Sequence, residues 1–211
     1  MTARRFFGSA GFLAIALLPF VAGAQAGDDK DKDDKKFNLV FVPTPESVVE
    51  KMFEMAKVNK KDVVFDLGCG NGIIVCMAAK KFGVKAVGVD LNPERIKECH
   101  EMVKKFGVEK LVDIRQGDAL KVKDFDRASV VMLYMLPEFM NWLEPVAKQK
   151  LKPGTRIVSH DYKWDEDKER LEKLKLEPWP PDVTVEIKGP DRTHTLYMWT
   201  VKAPKKEKSD K

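Results

Sequence analysis

The sequence predicts an α/β protein: a doubly wound, mostly parallel sheet with helices on both faces. Three observations carry that prediction. An apolar run, Asp62-Val63-Val64-Phe65, ends at Asp66 and passes into glycines 68, 70 and 72, after which Ile73–Phe82 is amphipathic at helical spacing. That is the pattern of a buried strand, a turn without side chains, and a helix starting at the turn. Further apolar segments then alternate with amphipathic ones, and two of them run into acidic residues, Asp90 and Asp118. Finally, residues 183–188 and 194–202 alternate apolar and polar around Gly189-Pro190-Asp191, as a closing β-hairpin would.

Taken in order, the first segment is not part of this domain. Arg4-Arg5 precede an apolar run over residues 6–22 that ends in Ala24-Gln25-Ala26. A basic start, an apolar stretch and an Ala-x-Ala site predict a secretory signal peptide over residues 1–26, hence export to the periplasm or the medium. An uncleaved membrane anchor is the alternative, and only then would the chain contact a membrane. Arg4–Phe7 partly matches a twin-arginine signal, from which Ala3 and Gly8 depart. Residues 27–39 read as a charged linker, residues 40–203 as one domain, and residues 204–211 as a disordered tail.

Within the domain, Thr44-Pro45-Glu46 predicts a capped helix start with a first-turn proline, followed by Val48, Val49, Met52, Phe53 and Ala56 on one face. Lys85–Asp90 is a second strand, and Asn92-Pro93 caps the helix after it. Residues 111–116 and 128–134 are the third and fourth strands, the latter apolar enough to lie centrally. Lys152-Pro153-Gly154 turns into a fifth, over residues 156–161.

The spacing of the glycines narrows the ligand. A dinucleotide fingerprint requires glycine at 73, where this chain has Ile73. Asp90, at the tip of the neighbouring strand, suits the two hydroxyls of a ribose. The pattern Asp66-x-Gly68-x-Gly70-x-Gly72 resembles motif I of the class I S-adenosylmethionine (SAM)-dependent methyltransferases. That resemblance covers about residues 40–202 and implies a Rossmann-like sheet of seven strands, five parallel plus a C-terminal antiparallel hairpin. It implies SAM as cofactor, with Thr44, Asp66, Gly68, Gly70, Gly72, Asp90, Asp118 and Ala119 as binding residues and Asp118 beside the adenine amino group. More narrowly, Pro43-Thr44-Pro45, Tyr134, Pro137-Glu138 and Ser159-His160-Asp161 resemble a small group of exported bacterial methyltransferases. These are distantly similar to protein-lysine methyltransferases acting on mitochondrial membrane proteins. Asn71 and Ile73 depart from that group's Asp and Arg.

The acceptor is less legible. The stretch after strand four, Leu133-Tyr134-Met135-Leu136-Pro137-Glu138, lacks the Asn/Asp-Pro-Pro-Tyr tetrad of amide and base N-methyltransferases and the carboxylate cluster of metal-dependent O-methyltransferases. Tyr134 and Glu138 are the candidate catalytic residues, the first walling the transfer site, the second orienting an ammonium or taking its proton. His160 is a candidate general base. His100 and His194 show no partners that suggest a metal, and no metal is expected. Cys69, Cys76 and Cys99 form neither a metal spacing nor a disulfide framework, so Cys76 and Cys99 are expected to pack as small apolar groups.

Charge gives no argument for a nucleic-acid partner. The formal charge of +5 falls to +3 once Arg4 and Arg5 are removed with the signal peptide, too balanced for nucleic-acid binding. The chain is thus expected to be a methyltransferase acting on a protein or small-molecule nucleophile, with a protein lysine amine as the candidate acceptor. The alternative is an exported, non-catalytic protein of the same fold that binds a nucleoside-like ligand or a protein partner.

Overall fold

A computed structural model describes residues 41–203. The signal peptide, the charged linker and the C-terminal tail predicted above lie outside the described residues. Helix α1 (Glu46–Ala56) precedes β1 (Val63–Leu67), α2 (Ile73–Phe82), β2 (Lys85–Asp90), α3 (Pro93–Phe106) and β3 (Val112–Gln116). Then follow β4 (Val130–Leu133), α4 (Pro137–Lys150), β5 (Arg156–His160), α5 (Lys168–Leu174), β6 (Val183–Lys188) and β7 (Thr193–Thr200). Among the described residues no helix is long and apolar enough to cross a membrane.

The seven strands form one sheet in the order β3-β2-β1-β4-β5-β7-β6. The first five are mutually parallel, and β7 runs antiparallel to both β5 and β6. The predicted sheet is therefore the observed one. Alternate residues of each central strand face opposite cores. Val64, Val130 and Val158 join the apolar faces of α1, α2 and α3, whereas Phe65, Val131 and Ile157 join Met140 and Leu143 of α4. The five α1 positions read from sequence are all buried.

The far face is closed by three tryptophans. The indole N–H groups of Trp164 and Trp199 both donate to the Trp179 carbonyl, at 2.7 and 2.9 Å, and the rings of Trp164 and Trp199 pack 4.0 Å apart. At the N-terminal end of the sheet, Arg156 donates to the Ala56 carbonyl and pairs with Asp62, which also accepts the Ser129 hydroxyl at 2.7 Å. Pro145 lies inside α4, where its missing N–H leaves the Asn141 carbonyl without its helical donor. Arg170 of α5 supplies one instead, at 3.3 Å, and also pairs with the buried Glu144.

Two local expectations are corrected. Thr44 does not cap α1: Pro45 holds the N-cap position with no side-chain bond, and the Thr44 hydroxyl turns to His160. Strands three to five are also shorter than read, so Tyr134 and Asp161 stand beyond the ends of β4 and β5, Asp161 with a φ of 62°. The periodicity gave no reason to stop there, because the residues past each end remain partly covered.

Candidate functional site

In a doubly wound sheet, ligands bind beyond the C-terminal ends of the strands where the strand order reverses. Here the reversal lies between β1 and β4. The β1–α2 turn stands on one side, with φ of 84°, 53° and 79° at Gly68, Gly70 and Gly72. Side chains are excluded there for a second reason. A Cβ on Gly68 would overlap the Met135 side chain, one on Gly70 the Phe41 ring, and one on Gly72 would come within 3.1 Å of Cys99 Sγ.

Asp90 holds this turn. Its carboxylate accepts the Gly70 and Asn92 backbone N–H groups, both at 2.9 Å. Each oxygen keeps a further lone pair for a donor such as a ribose hydroxyl. Asp66, 2% exposed at the end of β1, has its carboxyl pushed up to about 8 by burial and by the Asp90 charge. Cys99 is more than filler: its thiol donates to the Gly70 carbonyl at 2.9 Å and lies 3.7 Å from the Cys69 sulfur. That neighbour and burial push the Cys69 thiol up.

Past β3, Val89, Gln116, Gly117 and Asp118 line a depression. The Asp118 carboxylate accepts the Leu120 N–H at 2.9 Å and pairs with Lys121 at 3.1 Å, so it caps the 3-10 turn that Ala119 opens. As at Asp90, each oxygen keeps a further lone pair for a donor such as an adenine amino group.

Around the two candidate acceptor-side residues Tyr134 and His160 lies a network that sequence reasoning saw only in pieces. The Tyr134 ring packs on His160 with centroids 3.9 Å apart, and its hydroxyl accepts from Arg192 at 3.3 Å. Burial and the Asp161 charge push the Tyr134 phenol up. Arg192, on the β6–β7 turn, also pairs with Asp161, which accepts the Thr195 N–H at 3.0 Å. His160, fully buried, shares a 2.8 Å hydrogen bond with His194, and burial holds it down to about 4.

His194, read from sequence as having no partners that suggest a metal, thus has His160 and Asp191 as hydrogen-bond partners. His160, Asp161 and His194 bring ligand-type atoms within 4.8 Å of one another. Those atoms are already engaged: the two imidazoles bond to each other, and Arg192 neutralises Asp161. Glu138 does not join this network. It is exposed on the first turn of α4, where a carboxylate answers the helix dipole. No local pattern announces the His160–His194 pair, since 34 residues separate its members.

Comparison with known proteins supplies the family. The model of the ANTKMT methyltransferase domain matches residues 66–169. A protein-lysine N-methyltransferase of Saccharolobus islandicus is 39% identical over 78% of this chain and 94% of its own length. A human lysine N-methyltransferase named for an ATP synthase component is 31% identical over 59% of this chain, which spans about half (52%) of that protein. Among solved structures, an RNA methyltransferase of Salinibacter ruber in complex with S-adenosyl-L-homocysteine superposes with a TM-score of 0.67. It is 39% identical and covers 81% of this chain and all of its own. The glycine turn, the strand-tip acids and a relative matched along nearly its full length agree: the chain belongs to the class I SAM-dependent methyltransferases.

Proposed function

We propose that this methyltransferase acts on the ε-amine of a protein lysine. The observation that carries the reading is the near-full-length likeness to the Saccharolobus protein-lysine N-methyltransferase, joined to an acceptor side built from an aromatic ring and an uncharged imidazole.

The described residues fit the cofactor. Three positive-φ glycines give its backbone cradle, Asp90 presents free lone pairs at the ribose position, and Asp66 is a buried carboxyl that a nearby cation would ionise. When bound, SAM supplies a methyl group made electrophilic by its sulfonium. The chain's own part is to bind, orient and exclude water, because an in-line displacement depends mainly on placement. The Ile73 N–H at the start of α2 is taken by the Asn71 side chain at 3.2 Å, and the N–H groups that follow it in the first turn would draw the cofactor carboxylate. Tyr134 supplies a flat wall beside the turn, held by the His160 ring on its face and Arg192 on its hydroxyl.

An RNA acceptor is the second reading, favoured by the Salinibacter relative. Incubation with methyl-labelled SAM and a lysate decides between them. Label that survives nuclease, is lost with protease and elutes as methyl-lysine supports the proposal; label in nuclease-sensitive material overturns it. Export through residues 1–26 belongs to the same proposal, supported by the basic, apolar and Ala-x-Ala pattern. N-terminal sequencing of fractionated protein tests it.

A further inference from the structure

We propose that Thr44, His160, His194 and Asp191 form a proton path that carries the proton shed by the acceptor amine out to solvent; this rests on the lysine reading above. The hydrogen bonds run in one line. Thr44 Oγ1 lies 3.3 Å from His160 Nδ1, His160 Nε2 lies 2.8 Å from His194 Nδ1, and His194 Nε2 lies 3.1 Å from Asp191 Oδ1. Three of the four groups are buried, and Asp191 is 61% exposed at the β6–β7 turn.

Chemistry gives the line a direction. The Asp191 carboxylate only accepts, so His194 carries its hydrogen on Nε2 and offers a bare Nδ1. His160 must then donate from Nε2, which leaves Nδ1 bare to accept the Thr44 hydroxyl. The Asp161 carboxylate, 3.3 Å from the same His160 nitrogen, favours that tautomer too. The charged and titratable groups around the two rings are Asp161, Asp191, Arg192 and Tyr134. Because burial holds His160 neutral at ordinary pH, it passes a proton on without storing one.

The inner end reaches the transfer site by geometry. Residues 41–45 carry no regular structure, and Val42 and Thr44 each precede a proline, which favours extended backbone. Phe41 sits against Gly70 beyond β1, with the Arg95 guanidinium 4.7 Å above its ring, and Thr44 is bonded to His160 at the end of β5. With β4 between β1 and β5, the strap crosses about two strand spacings, roughly 10 Å, which is the reach of three extended residues. It therefore passes over the tip of β4, where Tyr134 and Met135 stand.

A lysine side chain with an ordinary pKa of about 10.4 arrives as an ammonium and needs a free lone pair to attack. Its proton passes to Thr44 Oγ1 as the hydroxyl proton moves to His160 Nδ1. The His160 Nε2 proton moves to His194 Nδ1, and the His194 Nε2 proton to the Asp191 carboxylate. One proton enters, one leaves, and no charge stays inside. The exposed Asp191 carboxyl gives its proton to water; after product release it retakes one from water, the protons step back in reverse order, and water entering the open site takes the one left on Thr44.

The experiment has two arms. Nitrogen-15 NMR of the protein reads the tautomers; hydrogen on Nε2 of both His160 and His194 is expected, and hydrogen on Nδ1 of either would overturn the path. Methyl transfer to poly-L-lysine is then followed from pH 6.5 to 10 for wild type, Asp191→Asn, Thr44→Val and Thr44→Ser. Asp191→Asn and Thr44→Val should lower kcat about tenfold at pH 7. That loss should shrink towards pH 10, with KM for SAM unchanged in Asp191→Asn, and Thr44→Ser should restore kcat. A uniform loss across pH, or none, refutes the path while lysine methylation stands. No transfer by wild type refutes the lysine reading, and the path with it.

Discussion

Replacing Asp66 with Asn tests the electrostatics of the cofactor turn. In the folded chain burial and the Asp90 charge raise this carboxyl to about 8, against 3.8 for the ordinary group. A group that holds its proton more tightly when folded costs stability once the unfolded chain can ionise. Stability therefore falls from about pH 4 to about pH 8 and levels off above. Some four pH units at about 1.4 kcal/mol each give a total on the order of 5 kcal/mol. About 3 kcal/mol of it falls between pH 5.5 and 8.5. The carboxamide cannot ionise, so urea unfolding of Asp66→Asn should lack that decline. Other titrations, including that of His160, cancel in the difference between variant and wild type. SAM affinity measured by calorimetry should rise with pH for wild type up to about pH 8, as binding of a cation releases the Asp66 proton, and should be flat for the variant. Parallel unfolding profiles for the two proteins would refute the reasoning.

Other substitutions probe separate links. Gly70→Ala should cost about 1–3 kcal/mol from its left-handed backbone alone and weaken SAM binding at least tenfold, because the new methyl displaces Phe41; circular dichroism melts and calorimetry measure both. Asp62→Ala leaves Arg156 and the Ser129 hydroxyl without their carboxylate at the N-terminal end of the sheet, and should cost about 3 kcal/mol in urea unfolding with SAM affinity kept. His160, held down to about 4, favours the folded state above its ordinary value of 6.5 and loses nothing further once pH has fallen below 4. Its folded form resists the proton that the unfolded chain takes up, so stability declines as pH falls from 6.5 to about 4. His160→Gln should therefore flatten the acid limb of the stability profile. Tyr134→Phe removes only the hydroxyl that Arg192 meets, and should lower methyl transfer severalfold with SAM affinity unchanged in a binding titration.

Much of the site was legible because its chemistry is local. The glycine turn and Asp90 follow from the backbone a close ligand demands, and both stand where the pattern puts them. Asn92 caps α3 through the Glu94 N–H at 2.8 Å, two residues away. The α1 stripe was readable because helical spacing maps directly onto one buried face. Misreadings arose where a side chain had a distant competitor. Thr44 has the right type and position for a cap, yet its hydroxyl is claimed by His160, 116 residues on. Asp118, expected beside an adenine amino group, also caps its own turn through the Leu120 N–H.

Hydrophobic period, glycine placement and strand-tip acids thus specify the layered sheet and the cofactor side from the chain alone, since each is a short-range consequence of backbone geometry and burial. The network around Tyr134 and His160, proposed as the acceptor side, was decided by the tertiary fold. Folding the β6–β7 hairpin back onto β5 carries Asp191, Arg192 and His194 to His160, Asp161 and Tyr134, and the strap brings Thr44 to the same place. Hydrogen bonds between residues 31 to 116 positions apart leave no period in a sequence, because only the closed sheet sets the distances that make them.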